Sequence, residues 1–246
     1  MWSVLRERIE VYLGTGLVLV QRPHVPLWSF EPPATLPLID VLRHVDRALN
    51  RAEGRPWRVC VHLSAALCPS VAFALPTGVK RHHEVLALAQ ASAAQSWFMS
   101  ADQATEIVCS LDARHLTLAA AMLAGTHRVI TQWATEHKGR LASLRPLWAA
   151  ATSANACAGS QRSRVAILEP DALTVLNLSK GSAVRAVSLP GRFEATEARS
   201  YLIAASDQPD EAEQREGVAM LFNREPAQTG WPQGPAVWAH HWRHLS

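Results

Sequence analysis

The chain has 246 residues, of which 48% are hydrophobic and 18% are charged, and its formal net charge is +3. This composition is typical of a globular protein, with enough length for one large domain or two small ones. The small net charge argues against a dedicated nucleic-acid binder, which needs a concentrated basic face.

The N-terminal segment predicts neither a signal peptide nor a membrane span. Charged residues between Arg6 and Glu10 interrupt it before an apolar core forms. No apolar run in the sequence approaches the roughly 18 residues that cross a bilayer, so we expect a soluble chain that reaches a membrane only through a partner. The cysteines form no C-x-x-C motif, which indicates a reducing compartment without a disulfide framework. They are Cys60, Cys68, Cys109 and Cys157.

The first predicted elements are two short apolar runs within Ile9–Val20, on either side of Gly14–Gly16 (G-T-G). The pattern predicts a β-hairpin with a tight turn. Glycine beside threonine at a strand end is also typical of turns that bind phosphate through backbone N–H groups. A third short strand, Leu27–Phe30, and a helix with apolar residues at helical spacing, Leu36–Arg51, follow the hairpin.

Strands and helices alternate through the middle of the chain. Apolar, β-prone runs predict strands, and runs that are rich in Ala and Leu or have helical spacing predict helices. His115–Met122 fits either a strand or a helix. The predicted strands are Arg58–Leu63, Ser70–Leu75, Glu106–Leu111 and Arg140–Pro146, and the predicted helices are His83–Trp97, Ala124–Lys138 and a segment that runs through Asn155.

A Gly- and Ser-containing stretch, Ala158–Ser163, predicts a linker, after which three strands follow in meander order. We expect their turns at Glu169–Asp171 and Ser179–Ser182. Helical segments and a Trp-rich tail follow the strands in the sequence. The chain is therefore predicted to form two α/β lobes. These are a first lobe with an inserted subdomain (1–157), a linker (158–164) and a second lobe (165–246).

The order of these elements resembles the actin-like ATPase superfamily, and within it the PilM and GspL families of pilus and secretion proteins. Four stretches carry the resemblance: the first hairpin, a strand pair of the inserted subdomain, the strand-then-helix element R-L-A-S-L-R-P-L-W, and the second meander. They are Val11–Val20, Val59–Pro76, Arg140–Trp148 and Val165–Gly191. The resemblance implies a two-lobed actin-like (ribonuclease H-like) α/β fold with mixed sheets.

Departures from the family pattern imply that the nucleotide motifs are degenerate. The family's first turn begins with an Asp that helps to hold a metal ion, and Tyr12 or Leu13 stands in that place here. The second turn should read D-x-G and reads Glu169-Pro170-Asp171, where Pro170 has no N–H to donate. We therefore interpret the first turn as one that only reverses the chain, and we expect no cofactor, no metal and no catalysis. The degenerate positions are Gly14, Thr15, Gly16, Asp171 and Gly191.

The resemblance implies a non-catalytic cytoplasmic scaffold, a pseudo-ATPase, in the inner-membrane assembly platform of a type IV pilus or type II secretion machine. Its expected partner is a short segment of a membrane protein of that platform, and the assembly motor ATPase is a second one. A peptide that adds to a sheet edge of the first lobe would make this contact. The predicted lining is Val59, Val61, Leu63, Val71 and Phe73.

Two other classes of function stay open. One is an ATP-dependent enzyme of the same fold, such as a kinase-like phosphotransferase, against which the degenerate phosphate turns count. The other is a nucleic-acid binder that uses the basic stretch between Lys138 and Arg192.

Histidine and tryptophan clusters give further candidates. His240 and His244 are one helical turn apart, beside His241, but no cysteine or acid lies near them. This favours adventitious metal affinity over a closed zinc site. His62 is expected to be a satisfied histidine within a sheet. The tail tryptophans are expected either to pack on the domain or to form a docking site, and they are Trp231, Trp238 and Trp242.

Overall fold

The computed structural model describes residues 7–22, 27–50, 57–97, 99, 106–112, 115–136, 141–149, 162–179, 182–204 and 215–220. Three β-sheets and four helices of described bounds lie in these ranges, and residues 147–149 are also helical. The strands are β1 Glu7–Leu13, β2 Val18–Gln21, β3 Trp28–Phe30, β4 Trp57–Leu63, β5 Ser70–Ala72, β6 Ile107–Asp112, β7 His115–Leu123, β8 Leu141–Pro146, β9 Arg162–Leu168, β10 Ala172–Ser179, β11 Ser182–Pro190 and β12 Arg215–Met220. The helices are α1 Leu38–Asn50, α2 His82–Ser96, α3 Ala124–Glu136 and α4 Ala195–Ala204. None of these helices is long and apolar enough to cross a membrane.

The first sheet is mixed, as predicted, and has the strand order β3-β2-β1-β4-β8. Strand β1 pairs antiparallel with β2 and parallel with β4, and β4 pairs parallel with β8. Because successive side chains of a strand point to opposite faces, Ile9, Val11 and Leu13 join one core with α1 and α3. Tyr12 lies on the other face, in a second core that includes Ala172 of β10. The first hairpin therefore ends where the first and third sheets meet.

The second sheet is the small antiparallel unit β5-β7-β6, with α2 packed on it. His115–Met122, which fits either a strand or a helix by sequence, belongs to strand β7. The reason is tertiary, because both β5 and β6 pair with it through backbone hydrogen bonds.

The third sheet has the order β11-β10-β9-β12, with α4 packed on it through Ala198. The predicted three-strand meander is present as β9, β10 and β11. Two predictions need correction. Residues 162–164 of the predicted linker already belong to β9, and residues 215–220, predicted among helical segments, form β12. In both cases the strand pairing supplies backbone hydrogen bonds that the composition of the segment does not reveal.

Several predictions fall on residues that lie outside the described ranges. They include the helix through Asn155, Cys157, linker residues 158–161, and the tail with its histidines and tryptophans. The division of the chain into lobes at residue 157 therefore stays a prediction.

Candidate functional site

Three turns that are far apart in sequence meet at the carboxyl ends of β1 and β4. In the turn between β1 and β2, the Gly14 N–H donates to the Leu17 carbonyl at 3.0 Å. In the turn between β9 and β10, the Glu169 N–H donates to the Ala172 carbonyl at 2.8 Å. Directly after β4, the Ser64 N–H donates to the carbonyl of Leu13, the last residue of β1, at 2.9 Å. The first two bonds close their own turns, whereas the third joins the segment after β4 to the end of β1.

The carboxylate of Asp171 is the centre of this site, and four donors surround it. The Thr15 N–H and Oγ1 donate to Oδ2 at 2.6 and 3.1 Å. The hydroxyls of Tyr12 and Ser64 donate to Oδ1, each at 2.5 Å. Asp171 is buried, and none of the ion pairs found among the described residues includes it. Hydrogen bonds rather than a cation therefore stabilise this carboxylate.

Two glycines allow the turns to approach so closely. A Cβ on Gly14 would lie 3.0 Å from Cγ of Asp171 and closer still to Oδ2, as well as 2.9 Å from the Leu17 carbonyl oxygen. Gly191 donates its N–H to the Asp171 carbonyl at 2.8 Å and has φ +135°, a conformation that favours glycine. A Cβ on Gly16, by contrast, would meet nothing within 4 Å.

A second carboxyl group, that of Glu169, is also buried beside Asp171. Its oxygens lie 3.2 and 3.3 Å from the Ala65 N–H nitrogen, and Oε2 lies 3.3 Å from the Tyr12 hydroxyl. Burial, and then the charge of Asp171, raise the pKa of Glu169 well above its ordinary value. Burial and the two acids likewise raise the pKa of Tyr12. The Tyr12 hydroxyl therefore lies between the two acids, within hydrogen-bonding distance of both.

The arrangement does not fit the phosphate of a nucleotide. The N–H of Thr15, which a phosphate at this turn would need, is already bound by a carboxylate. An incoming phosphate would also meet the negative charge of Asp171, and Pro170 offers no N–H to compensate. Within the described ranges, no group of three or more His, Cys, Asp and Glu side chains is placed to hold a metal ion.

The structure thus brings together four of the five predicted degenerate positions, and Gly16 completes the turn. The interpretation that the first turn only reverses the chain is wrong, because the turn also binds the carboxylate of Asp171. The sequence signalled Tyr12 only as a departure from the family pattern. It gave no sign of Ser64, which lies between a strand and an Ala-rich segment.

The predicted partner-binding residues lie mainly in the cores. Val59, Val61 and Leu63 belong to β4, which has β1 on one side and β8 on the other and so offers no free edge. Val71 and Phe73 are buried under α2. Leu63 also lines an open cavity. Binding of a partner by these residues stays a prediction.

That cavity is an open groove of about 420 Å³ beside the carboxyl end of β8. Helix α3 and strands β6 and β7 form its other walls, and most of its lining is apolar. The lining includes Leu63, Val108, Met122, Ile130, Thr131 and Leu144. Cys68 also lines it, but burial raises the pKa of its thiol to about 12, so the thiol stays protonated at neutral pH.

A separate buried polar pair lies on the face of the first sheet that carries Tyr12. His62 Nε2 and Glu10 Oε2 are 2.8 Å apart, and Arg8 also bonds to Glu10. His62 therefore lies within the sheet, as predicted, and its Nε2 has a hydrogen-bond partner there.

The mixed first sheet, the small second sheet and the meander of the third sheet together form an actin-like ATPase fold. No protein-family model matches the sequence, and no curated protein does. Among solved structures, a Bacteroides thetaiotaomicron protein with actin-like ATPase fold and unknown function aligns with a TM-score of 0.58 and 10% identity, over 91% of this chain and 86% of that chain.

Two further structures are parts of secretion and pilus systems. The cytoplasmic domain of EpsL, an inner membrane component of the type II secretion system of Vibrio cholerae, aligns with a TM-score of 0.51 and 13% identity, over 88% of this chain and 83% of that chain. A chain of the PilM–PilN type IV pilus biogenesis complex aligns with a TM-score of 0.51 and 13% identity, over 81% of this chain and 68% of that chain. At these identities the similarity establishes the fold, and it confirms the predicted actin-like architecture.

Proposed function

We propose that this chain is a non-catalytic scaffold on the cytoplasmic side of an inner-membrane assembly platform, in a type IV pilus or type II secretion machine. It would bind a short extended segment of a membrane protein of that platform, and the assembly motor ATPase would be a further partner. The observation that carries the proposal is the apolar groove beside strand β8.

Strand β8 is suited to pair with an added strand. It lies at the end of the first sheet, and in the described part of the chain it pairs only with β4. An edge strand presents N–H and C=O groups to which an extended peptide can bond. Leu144, Arg145 and Pro146 of β8 also line the groove. A peptide paired with β8 would therefore place alternate side chains in the groove.

Two of the similar structures support the same class of machine. One is an inner membrane component of a type II secretion system, and the other belongs to a type IV pilus biogenesis complex. A scaffold of this kind requires a groove and a sheet edge, whereas catalysis would require a free phosphate site. In this chain Asp171 already takes the donors of the first turn, which favours the scaffold over an ATP-dependent enzyme.

The test blocks the groove without disturbing the core. Thr131 is an exposed residue of α3 that lines the groove, so Thr131→Trp places a large ring in it. Thr135→Trp is the matched control, because Thr135 is exposed one turn further along the same helix, where its hydroxyl donates to the Thr131 carbonyl. The intact chain and both variants are used as bait with solubilised membranes of the source organism.

Quantitative mass spectrometry then identifies the recovered proteins. We expect pilus or secretion platform proteins with the unchanged chain and with Thr135→Trp, and about tenfold less with Thr131→Trp. Equal recovery with both variants would exclude the groove as the docking site. Recovery of nucleic acid that washes off with salt, without a membrane protein, would overturn the scaffold itself.

A further inference from the structure

The hydrogen bonds around Asp171 join turns that belong to two different sheets, beside the core that these sheets share. The donors Tyr12, Thr15 and Ser64 belong to the first sheet and its turns, whereas Asp171 belongs to a turn of the third sheet. Each carboxylate oxygen accepts two bonds, Oδ2 from the N–H and hydroxyl of Thr15, and Oδ1 from the two other hydroxyls. Converging N–H and O–H donors of this kind are how proteins bind a small oxyanion.

We propose that the Asp171 carboxylate is a built-in anionic ligand, which fills an oxyanion site in the turns of the first sheet and holds the third sheet closed against them. The resemblance to the actin-like family implies that these two turns flank a nucleotide phosphate in its active members. An internal carboxylate makes the closure of this chain independent of nucleotide. This role does not depend on whether a partner binds at the groove.

The space between the turns is matched to a carboxylate. Gly14 has no room for a Cβ while the Asp171 side chain is in place. The hydroxyl-bearing residues Tyr12 and Ser64 are both 0% exposed. Removal of the carboxylate takes away the acceptor that their hydroxyls share, in a place where water does not replace it freely. The site that remains has the size and the donors for formate.

The first test is chemical rescue of Asp171→Ala, because alanine and formate together reproduce the aspartate side chain in two pieces. Thermal unfolding of the intact chain is followed in sodium formate and in sodium chloride of equal ionic strength. We expect Asp171→Ala to unfold at a lower temperature than the unchanged chain. Formate at ten times its dissociation constant should raise that Tm by about 3 °C or more, in a saturable manner.

Two controls separate the site from a general salt effect. Asp40→Ala removes a partly exposed carboxylate that pairs with Arg43 in α1, and Asp171→Asn fills the same space with an uncharged amide. Neither variant should respond to formate beyond its response to chloride. An equal formate shift in either control and in Asp171→Ala would overturn the proposal, as would an Asp171→Ala Tm equal to that of the unchanged chain.

If Asp171→Ala does not fold in chloride, the recovery of its circular dichroism spectrum by formate is the readout. Failure of formate to recover it, together with an Asp171→Asn chain as stable as the original, would also overturn the proposal.

A double-mutant cycle with Gly14→Ala supplies an independent test. In the unchanged chain the added Cβ meets the Asp171 carboxylate, so the Tm should fall. In the Asp171→Ala background only the contact with the Leu17 carbonyl oxygen remains, so the fall should be smaller. An equal fall in both backgrounds would show that the carboxylate does not occupy the space beside Gly14.

Discussion

Two regions at the first sheet differ in their chemistry. At the carboxyl ends of β1 and β4, polar groups of three turns converge on the buried carboxylate of Asp171. At β8, an open and mostly apolar groove of about 420 Å³ lies beside the sheet edge. We propose that the first region contributes to the stability of the chain, whereas the second is available to a partner.

The largest effect on stability is expected at Phe73, where the second sheet packs against helix α2. Phe73 is buried against Val85, Ala89 and Ala119. Phe73→Glu places a charge among these side chains, so we expect a loss of about 3–5 kcal/mol or complete unfolding. Circular dichroism and urea denaturation measure this, with Phe73→Leu as the control at a loss of about 1 kcal/mol. A folded Phe73→Glu chain that no longer binds its partner would instead place Phe73 in the docking surface, as the sequence predicts.

A smaller loss is expected at the filled turn site. Tyr12→Phe removes the hydroxyl that lies between Glu169 and Asp171. Because that hydroxyl is fully buried, we expect the free energy of unfolding to fall by about 1–3 kcal/mol. Tyr201 is 42% exposed, and Tyr201→Phe should change the stability by less than about 0.5 kcal/mol. Similar urea midpoints for the two variants would mean that the buried hydroxyl makes no net contribution.

The raised pKa of Glu169 also predicts a pH dependence of stability. Burial, followed by the charge of Asp171, raises the folded-state pKa of Glu169 well above the ordinary value of 4.5. The unfolded chain therefore releases this proton first. The stability contribution is complete below about pH 4.5 and is lost as the pH rises from there toward the raised folded-state value.

Glu169→Gln removes this titration while it keeps an acceptor for the Ala65 N–H and a donor for Tyr12. Its stability relative to the unchanged chain should improve with rising pH, by up to about 1.4 kcal/mol per pH unit. Urea denaturation of both chains from about pH 5 to about pH 8 measures the difference. Parallel pH profiles would show that Glu169 ionises alike in the folded and unfolded chains.

The same comparison explains which features the sequence reveals. The first hairpin and the amphipathic helix α1 follow from periodicity and turn residues, which are local, whereas the mixed sheets are implied only by the family resemblance. The bond from Thr15 to Asp171 joins residues 156 positions apart, and no local pattern indicates it. The prediction of a docking surface required β4 to offer a free edge. In the structure β4 is a central strand because β8 pairs with it, and the sequence does not reveal this pairing.

The most direct test of the filled turn site is thermal unfolding of the intact chain with millimolar ATP and Mg²⁺, compared with Mg²⁺ alone. A nucleotide phosphate would have to displace Asp171 from four donors, so we expect no shift in Tm. A nucleotide at 100 times its dissociation constant would add about 2.7 kcal/mol, which raises the Tm of a chain of this length by roughly 5–11 °C. An increase of that size would contradict the filled site and favour an ATP-dependent enzyme.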